Sequence, residues 1–260
     1  NEDTDEWWNG MNRIYNVLCY DYLYPNPKSV MAFVENHDTD RFLGEGKDSV
    51  ALKQALALLL TINRIPQLYY GTEVMMNGTK TVTDGYVRQD FPGGWASDKH
   101  NAFTAEGRTK AENDMFRWIS NLLHWRKGNE VITKGSQTQF ITYKGVYVVA
   151  RQYKGKSVMT VINGKREAAE LDDKRYAEIS GETVKATDVT TGRQVTCNKD
   201  VEPRPSQTMI LELYSPLHNP HPCPPFTKGG HVWFYATSRC ASSEVLLRRC
   251  EKDAFHDDLP

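Results

Sequence analysis

The stretch from Ser29 to Leu43, SVMAFVENHDTDRFL, constrains this chain more than any other. It is largely apolar to Val34 and then presents Glu35, Asn36, His37, Asp38, Asp40 and Arg41 in quick succession. A short β run over 29–35, apolar on both faces, is the pattern of a strand covered on both sides, as in a parallel sheet. Asp48 or Ser49 can then cap VALKQALALLLTIN, whose Ala and Leu content strongly favours helix. IPQLYYG reads as a second short buried strand ending at Gly71. Strand, crossover helix and strand form a βαβ unit whose connection should be right-handed. Polar residues just beyond the C-terminal ends of parallel strands are where α/β proteins place their sites. Residues 35–41 and the segment YYGTE at 69–73 hold those two places.

Around this unit the texture changes twice. Residues 11–24 carry Met11, Ile14, Val17, Leu18 and Tyr22 at helical spacing, and Pro25 and Pro27 stop the helix. After the second strand comes a long polar loop, Thr72 to Glu106, with Gly78, Gly85 and FPGGW as turn chemistry. A loop of that length inside a compact domain is usually functional or disordered. The helix KAENDMFRWISNLLHWRKG follows, with Met115, Trp118, Ile119, Leu122 and Trp125 on one side. From Val131 the chain is β-branched and aromatic, with Lys144-Gly145 and Lys154-Gly155 as hairpin turns and later strands predicted around 183–189, 193–197 and 207–214. The expected fold class is therefore α/β plus all-β, with an α/β portion over 1–130 and an antiparallel β domain over 131–214. Residues 215–260 hold six of the twelve Pro, four of the seven His and three of the five Cys without a sustained period. They read as a segment foreign to the fold, disordered or artefactual. A zinc site from His218, His221, Cys223 and Cys240 is the alternative, although the spacing fits no common ligand set.

Composition narrows the partners. A formal net charge of −1 suggests neither a nucleic-acid footprint nor a membrane-steering surface. The longest apolar run, Ala55 to Leu60, is far too short to cross a bilayer. Six Trp and thirteen Tyr suit stacking on flat ligands such as sugar rings, or an ordinary core. Five unevenly spaced Cys argue against a disulfide framework. The opening NEDTDEWWNGMNRIYNV reads as the interior of a longer product, so the chain is expected to be a fragment.

FVENHDTDRF resembles the fourth conserved region of the α-amylase family of glycoside hydrolases, and RIPQLYYGTE resembles that family's segment on the eighth barrel strand. DGYVRQDFPGGW and LLHWRKGNEVI are similar to the same family, especially its neopullulanase and cyclomaltodextrinase-like branch. The resemblance implies the seventh and eighth strands of a (β/α)8 TIM barrel followed by an antiparallel β-sandwich. It makes Asp38 the third catalytic carboxylate, which is neither nucleophile nor proton donor but binds hydroxyls of the sugar at the cleavage point. His37 would contact the same sugar, and Asp84 with Arg88 would line the subsites on the non-reducing side. A guanidinium held by a carboxylate presents a rigid donor fork to vicinal hydroxyls. Arg41 would either contact glucan or brace Glu35. Trp95, Tyr69, Tyr70 and Phe91 could stack on sugars or simply pack.

The family's nucleophilic Asp follows its fourth strand and its acid Glu follows the fifth; neither motif is expected here, and Asp90 and Glu73 lie in other segments. The parent would be a retaining hydrolase of α-1,4 bonds in starch, pullulan or cyclodextrins, periplasmic or extracellular in a bacterium, and this chain alone would be inactive. Its partner would be an α-glucan oligosaccharide or polysaccharide, with no nucleic acid and no membrane. No cofactor or metal is implied by these residues; calcium is an option of the parent only. The β domain would be a structural cover for the barrel flank or a non-catalytic glucan-binding module using Tyr143, Tyr147 and Tyr153.

Overall fold

A computed structural model describes residues 6–46, 48–169, 171, 173–181, 185–196, 203–204 and 206–214. Residues 215–260, and with them the zinc alternative, lie outside the described residues. Among the described residues, no three His, Cys, Asp or Glu side chains are grouped to hold a metal. No helix among them is long and apolar enough to cross a membrane.

The α/β portion begins with helix α1 (Asn12–Cys19), which continues as a 3-10 turn over Tyr20–Leu23. Strand β1 (Met31–Phe33), helix α2 (Ser49–Thr61) and strand β2 (Ile65–Gln67) form the expected βαβ unit. Its strands pair in parallel, Met31 opposite Ile65 and Phe33 opposite Gln67. Asp48 caps α2 by accepting the N–H groups of Val50 and Ala51 at 3.1 and 3.0 Å. Helix α3 (Lys110–Gly128) starts with a capping box in which Thr109 and Glu112 satisfy each other's backbone N–H. Asn129 ends it and caps the short helix α4 (Glu130–Lys134).

Two expectations need correcting. The strands are three residues long, and Met31, Phe33 and Ile65 remain largely exposed. Among the described residues each strand pairs only with the other, and the face carrying Met31, Phe33 and Ile65 is left open. In α1 the buried residues are Asn12, Tyr15 and Leu18, while Val17 and Tyr22 face outward. Asn12 outranks an apolar side chain because its amide is used twice. It donates to the Glu6 carbonyl at 3.1 Å and accepts the N–H of Thr142 at 3.1 Å, tying α1 to the β domain.

That domain is a six-stranded antiparallel sheet in the order β3-β4-β5-β8-β6-β7. The strands are β3 (Ser136–Tyr143), β4 (Val146–Tyr153), β5 (Lys156–Asn163), β6 (Lys185–Asp188), β7 (Arg193–Thr196) and β8 (Thr208–Tyr214), with a short helix α5 (Ala177–Ser180) between β5 and β6. The two Lys-Gly turns place both residues at positive φ, 50° and 75° in one and 49° and 75° in the other. That is the primed geometry whose twist suits a two-residue hairpin. Side chains alternate between two cores. Val148, Ala150, Val161 and Leu211 face a core that also takes Phe140 of β3 and Val195 of β7, the two ends of the sheet, so the sheet curls around it. Tyr147, Val149 and Ile162 face α1, while Val158 and Ile210 face α2 and α3. Both faces are therefore apolar, as in a buried sheet.

The junction with the α/β portion is sealed by polar groups. Gln54 donates to the Asn163 carbonyl at 2.9 Å, and Thr160 donates to Thr61 at 2.9 Å. Arg151, almost fully buried, donates to the carbonyls of Thr61, Gly135 and Ser136. Burial, and to a lesser degree the neighbouring Arg126 charge, pull its pKa down to about 10.

Alkali should loosen this junction. Burial pushes the Tyr15 phenol up to about 12 and raises that of the enclosed Tyr147 as well. A phenol in the unfolded chain ionises near its ordinary value of about 10. Above that pH the unfolded state binds fewer protons than the folded one, so stability falls with rising pH. The Tyr15 contribution is complete below pH ~10 and is lost as pH passes about 12. The urea midpoint should drop across that window, with late phenolate absorbance appearing together with unfolding. Phenolate absorbance complete before unfolding would contradict it.

Candidate functional site

The strand-end loop is built by short-range hydrogen bonds. Asn36 receives the N–H of Asp38 on its side chain at 2.8 Å, and its own N–H is held by the Thr39 hydroxyl at 3.0 Å. This tight turn lifts His37 and Asp38 to the surface beyond β1. The His37 ring nitrogen Nε2 lies 3.2 Å from Asp38 Oδ2, and the Asp38 side chain is 65% exposed. A ligand can therefore reach it.

The long loop after β2 folds back over this turn. Arg88 donates to the His37 carbonyl at 3.0 Å, and its Nη2 lies 3.4 Å from Asp38 Oδ1 and 3.6 Å from Asp84 Oδ2. Four of the five candidates, His37, Asp38, Asp84 and Arg88, thus meet in one ion-paired cluster. Lys80 completes it, a residue that carried no signal in the sequence beyond standing four positions before Asp84. Its Nζ lies 3.2 Å from Asp84 Oδ1 and donates to the Asp38 carbonyl at 3.2 Å, and its N–H donates to Asp40 at 2.6 Å. Exposed pairs of this kind contribute little to stability, typically ~0–1 kcal/mol each. Their effect is to orient carboxylate acceptors and a guanidinium fork toward solvent.

Arg41 does something else. It is buried, so the alternative of direct contact with a ligand is corrected in favour of the brace. Its Nη1 reaches Glu35 Oε1 at 3.3 Å and the Tyr70 carbonyl at 2.7 Å, and its Nε donates to the Val87 carbonyl at 3.1 Å. The guanidinium carbon stands 4.0 Å from the Tyr69 ring centroid and 4.9 Å from that of Tyr70. Nη2 finds no acceptor, and the π faces of these rings offer it the compensating negative potential. Glu35 in turn accepts the Phe42 N–H at 2.5 Å and the Thr72 hydroxyl at 2.6 Å. One buried pair therefore fastens the end of β1, the end of β2 and the residue before Arg88.

Gly78 makes the same approach possible through backbone. Its N–H donates to the Gly44 carbonyl and its carbonyl accepts from Arg41 N–H, at 2.8 and 3.0 Å. Its φ is +151°, and a Cβ there would stand 2.4 Å from the Tyr86 carbonyl oxygen. Gly78→Ala should destabilise the chain by about 1–3 kcal/mol in urea titration. An unchanged midpoint would mean that the loops do not meet as described.

The aromatic candidates separate. Trp95 is exposed, Phe91 packs on Phe103 with centroids 4.6 Å apart, and Tyr69 and Tyr70 make an edge-to-face pair at 4.6 Å. The Tyr70 hydroxyl is occupied by the Gln89 carbonyl at 2.6 Å. In the β domain Tyr147 is fully buried and leaves the proposed platform, because its position in β4 faces α1. Tyr143 is exposed.

The chain is similar to several known proteins. Residues 137–212 match the cyclo-malto-dextrinase C-terminal domain. The cyclomaltodextrin glucanotransferase of Paenibacillus macerans is 29% identical over 164 residues, 61% of this chain and 20% of that protein. That of Niallia circulans is 32% identical over 151 residues, 58% of this chain and 18% of its own. The chain thus matches about a fifth of the length of these relatives. Among solved structures, an Anoxybacillus α-amylase superposes with a TM-score of 0.60 at 19% identity, covering 79% of this chain and 43% of that one. The α-amylase of Geobacillus thermoleovorans, solved with acarbose, gives 0.59 at 20% identity, covering 78% and 43%. At these identities the superpositions speak to fold alone.

Proposed function

We propose, from its similarity to the cyclo-malto-dextrinase C-terminal domain and to cyclomaltodextrin glucanotransferases, that this chain is part of an α-amylase-family glycoside hydrolase and supplies the last two barrel strands and the C-terminal β domain of a retaining α-glucan hydrolase. The observation that carries this reading is the convergence of His37, Asp38, Asp84 and Arg88 beyond the C-terminal ends of two parallel strands. That is where an α/β barrel does its chemistry.

Retaining cleavage needs a nucleophilic carboxylate and a carboxylic acid about 5–5.5 Å apart. In this reading both come from strands outside this sequence. The carboxylates around Asp38 are otherwise engaged, Asp40 by the Lys80 N–H and Asp84 by Lys80 and Arg88. Asp38 acts as the third carboxylate. It accepts hydrogen bonds from hydroxyls of the sugar at the cleaved bond, and these strengthen as the ring flattens and gains positive charge. His37 lies against the same sugar. Arg88, anchored by Asp84 and the His37 carbonyl, holds the neighbouring sugar, and Arg41 positions both loops from beneath.

The substrate class is an α-1,4-glucan, starch, pullulan or a cyclodextrin, consistent with a neopullulanase or cyclomaltodextrinase-like parent. The family's acarbose-bound relative supports an oligosaccharide ligand of that type. A periplasmic or extracellular place in a bacterium accords with the bacterial sources of the relatives. The β domain's role is structural in the first instance, since one face of its sheet packs on α1, α2 and α3.

The test uses the intact parent. Its reducing-sugar release from soluble starch should depend on Asp38 and on Arg88. Arg88→Ala should raise KM more than it lowers kcat, because the fork grips a sugar that does not react. A parent with unchanged KM in Arg88→Ala would remove Arg88 from the substrate.

A further inference from the structure

We infer a second carbohydrate site, remote from Asp38, in the groove between the end of α3 and the β domain. The groove has a volume of about 990 Å³ and is bounded by the α3–α4 junction, the β4–β5 turn and the end of β8. Ligand pockets run from about 300 to 1,000 Å³, so an oligosaccharide of a few rings fits. Helix α3 has 19 residues, so the groove at its far end lies about 28 Å along the helix from its start beside the last residues of the long loop.

The chemistry of the lining selects the ligand. Trp125 and Tyr153 line the groove while packing in part on the core, Tyr153 with Lys154 over its ring, and Tyr214 presents an exposed aromatic surface. Glu212 Oε1 accepts from Trp125 Nε1 and Asn129 Nδ2, both at 2.7 Å. These two donors fix the carboxylate and leave its remaining lone pairs for hydroxyl donors. The charges balance, with Glu130 and Glu212 against Lys154 and Lys156 around the same groove. A phosphate or a cation would meet an opposing charge at once, whereas a neutral polyhydroxylated ring meets aromatic faces and fixed acceptors. A neutral oligosaccharide is the class that uses all of these groups, and naming it an α-1,4-glucan rests on the function proposed above.

The experiment measures maltoheptaose binding to the full 260-residue chain by calorimetry, in an Asp38→Asn, Arg88→Ala background that disables the strand-end cluster. Weak binding is expected, with Kd on the order of 1 mM. Adding Tyr214→Ala, or separately Glu212→Gln, should weaken it at least about tenfold. Thermal melts unchanged by either substitution keep the comparison valid, and Glu212→Gln preserves shape if Tyr214→Ala does not. No binding in the background chain, or binding insensitive to the folded groove variants, overturns the site. Binding of cellohexaose with equal affinity overturns the α-glucan assignment. Activity of the intact parent is read separately, so failure of the groove leaves the strand-end reading standing, and the reverse.

Discussion

Asp38→Asn in the intact parent should lower kcat on soluble starch by about 10²–10³ with KM changed far less. Asn keeps the shape of the side chain and one acceptor oxygen, so a ground-state sugar still finds a partner. What it loses is negative charge, which matters only as the ring acquires positive charge on the way to cleavage. An interaction made mainly in the transition state appears in kcat, not in KM. Folding should be nearly indifferent, because Asp38 is exposed and its pairs with His37 and Arg88 are long. A stability change within ~1 kcal/mol is therefore expected alongside the large kinetic loss. An unchanged kcat would show that Asp38 does not face the reacting sugar.

Arg41→Ala should destabilise this chain by about 3–5 kcal/mol in urea titration. The pair with Glu35 is enclosed, with 0% and 3% of the two side chains exposed. Removing the guanidinium leaves the Glu35 carboxylate buried with only the Thr72 hydroxyl and the Phe42 N–H, and it frees the Tyr70 and Val87 carbonyls. Lysine should not rescue it, since a single ammonium cannot address three acceptors in the plane of a fork. Removing both charges together should cost less than the sum, because no uncompensated ion remains. A loss below ~1 kcal/mol in the single variant would mean that the loops are held by something else.

How much of this was legible depends on the distance over which each feature acts. The βαβ unit and α3 follow from local pattern, Ala and Leu in one and apolar residues along one side in the other, and both formed where expected. The two Lys-Gly hairpins are equally local. Periodicity gives the wrong face for α1 because it counts apolar residues, and Asn12 is buried for hydrogen bonds to Glu6 and to Thr142, the latter 130 residues away. Strands β1 and β2 are shorter and barer than their apolar runs suggested, since coverage depends on neighbours that a run of residues does not specify. In the β domain, apolar side chains on both faces left no polar stripe to reveal which way Tyr147 pointed.

At the site, the motif around Asp38 pointed to the strand end, while the meeting of Asp38 with Arg88 is a property of how the long loop folds back. Arg41 and Arg88 look alike as charges in loops; burial alone makes one a brace and leaves the other at the surface. Lys80 carries little local signal, because its partners Asp38 and Asp40 lie about forty residues earlier. The groove at Glu212 had no signature either, joining Trp125 to a carboxylate 87 residues along the chain.

We propose that this chain carries the assisting carboxylate of an α-glucan hydrolase and relies on other segments for the nucleophile and the acid. The decisive measurement assays the purified 260-residue chain for reducing sugar released from soluble starch. No release is expected, whatever stands at position 38. Measurable turnover that disappears in Asp38→Asn would contradict this role, because the chain would then hold a complete catalytic apparatus of its own.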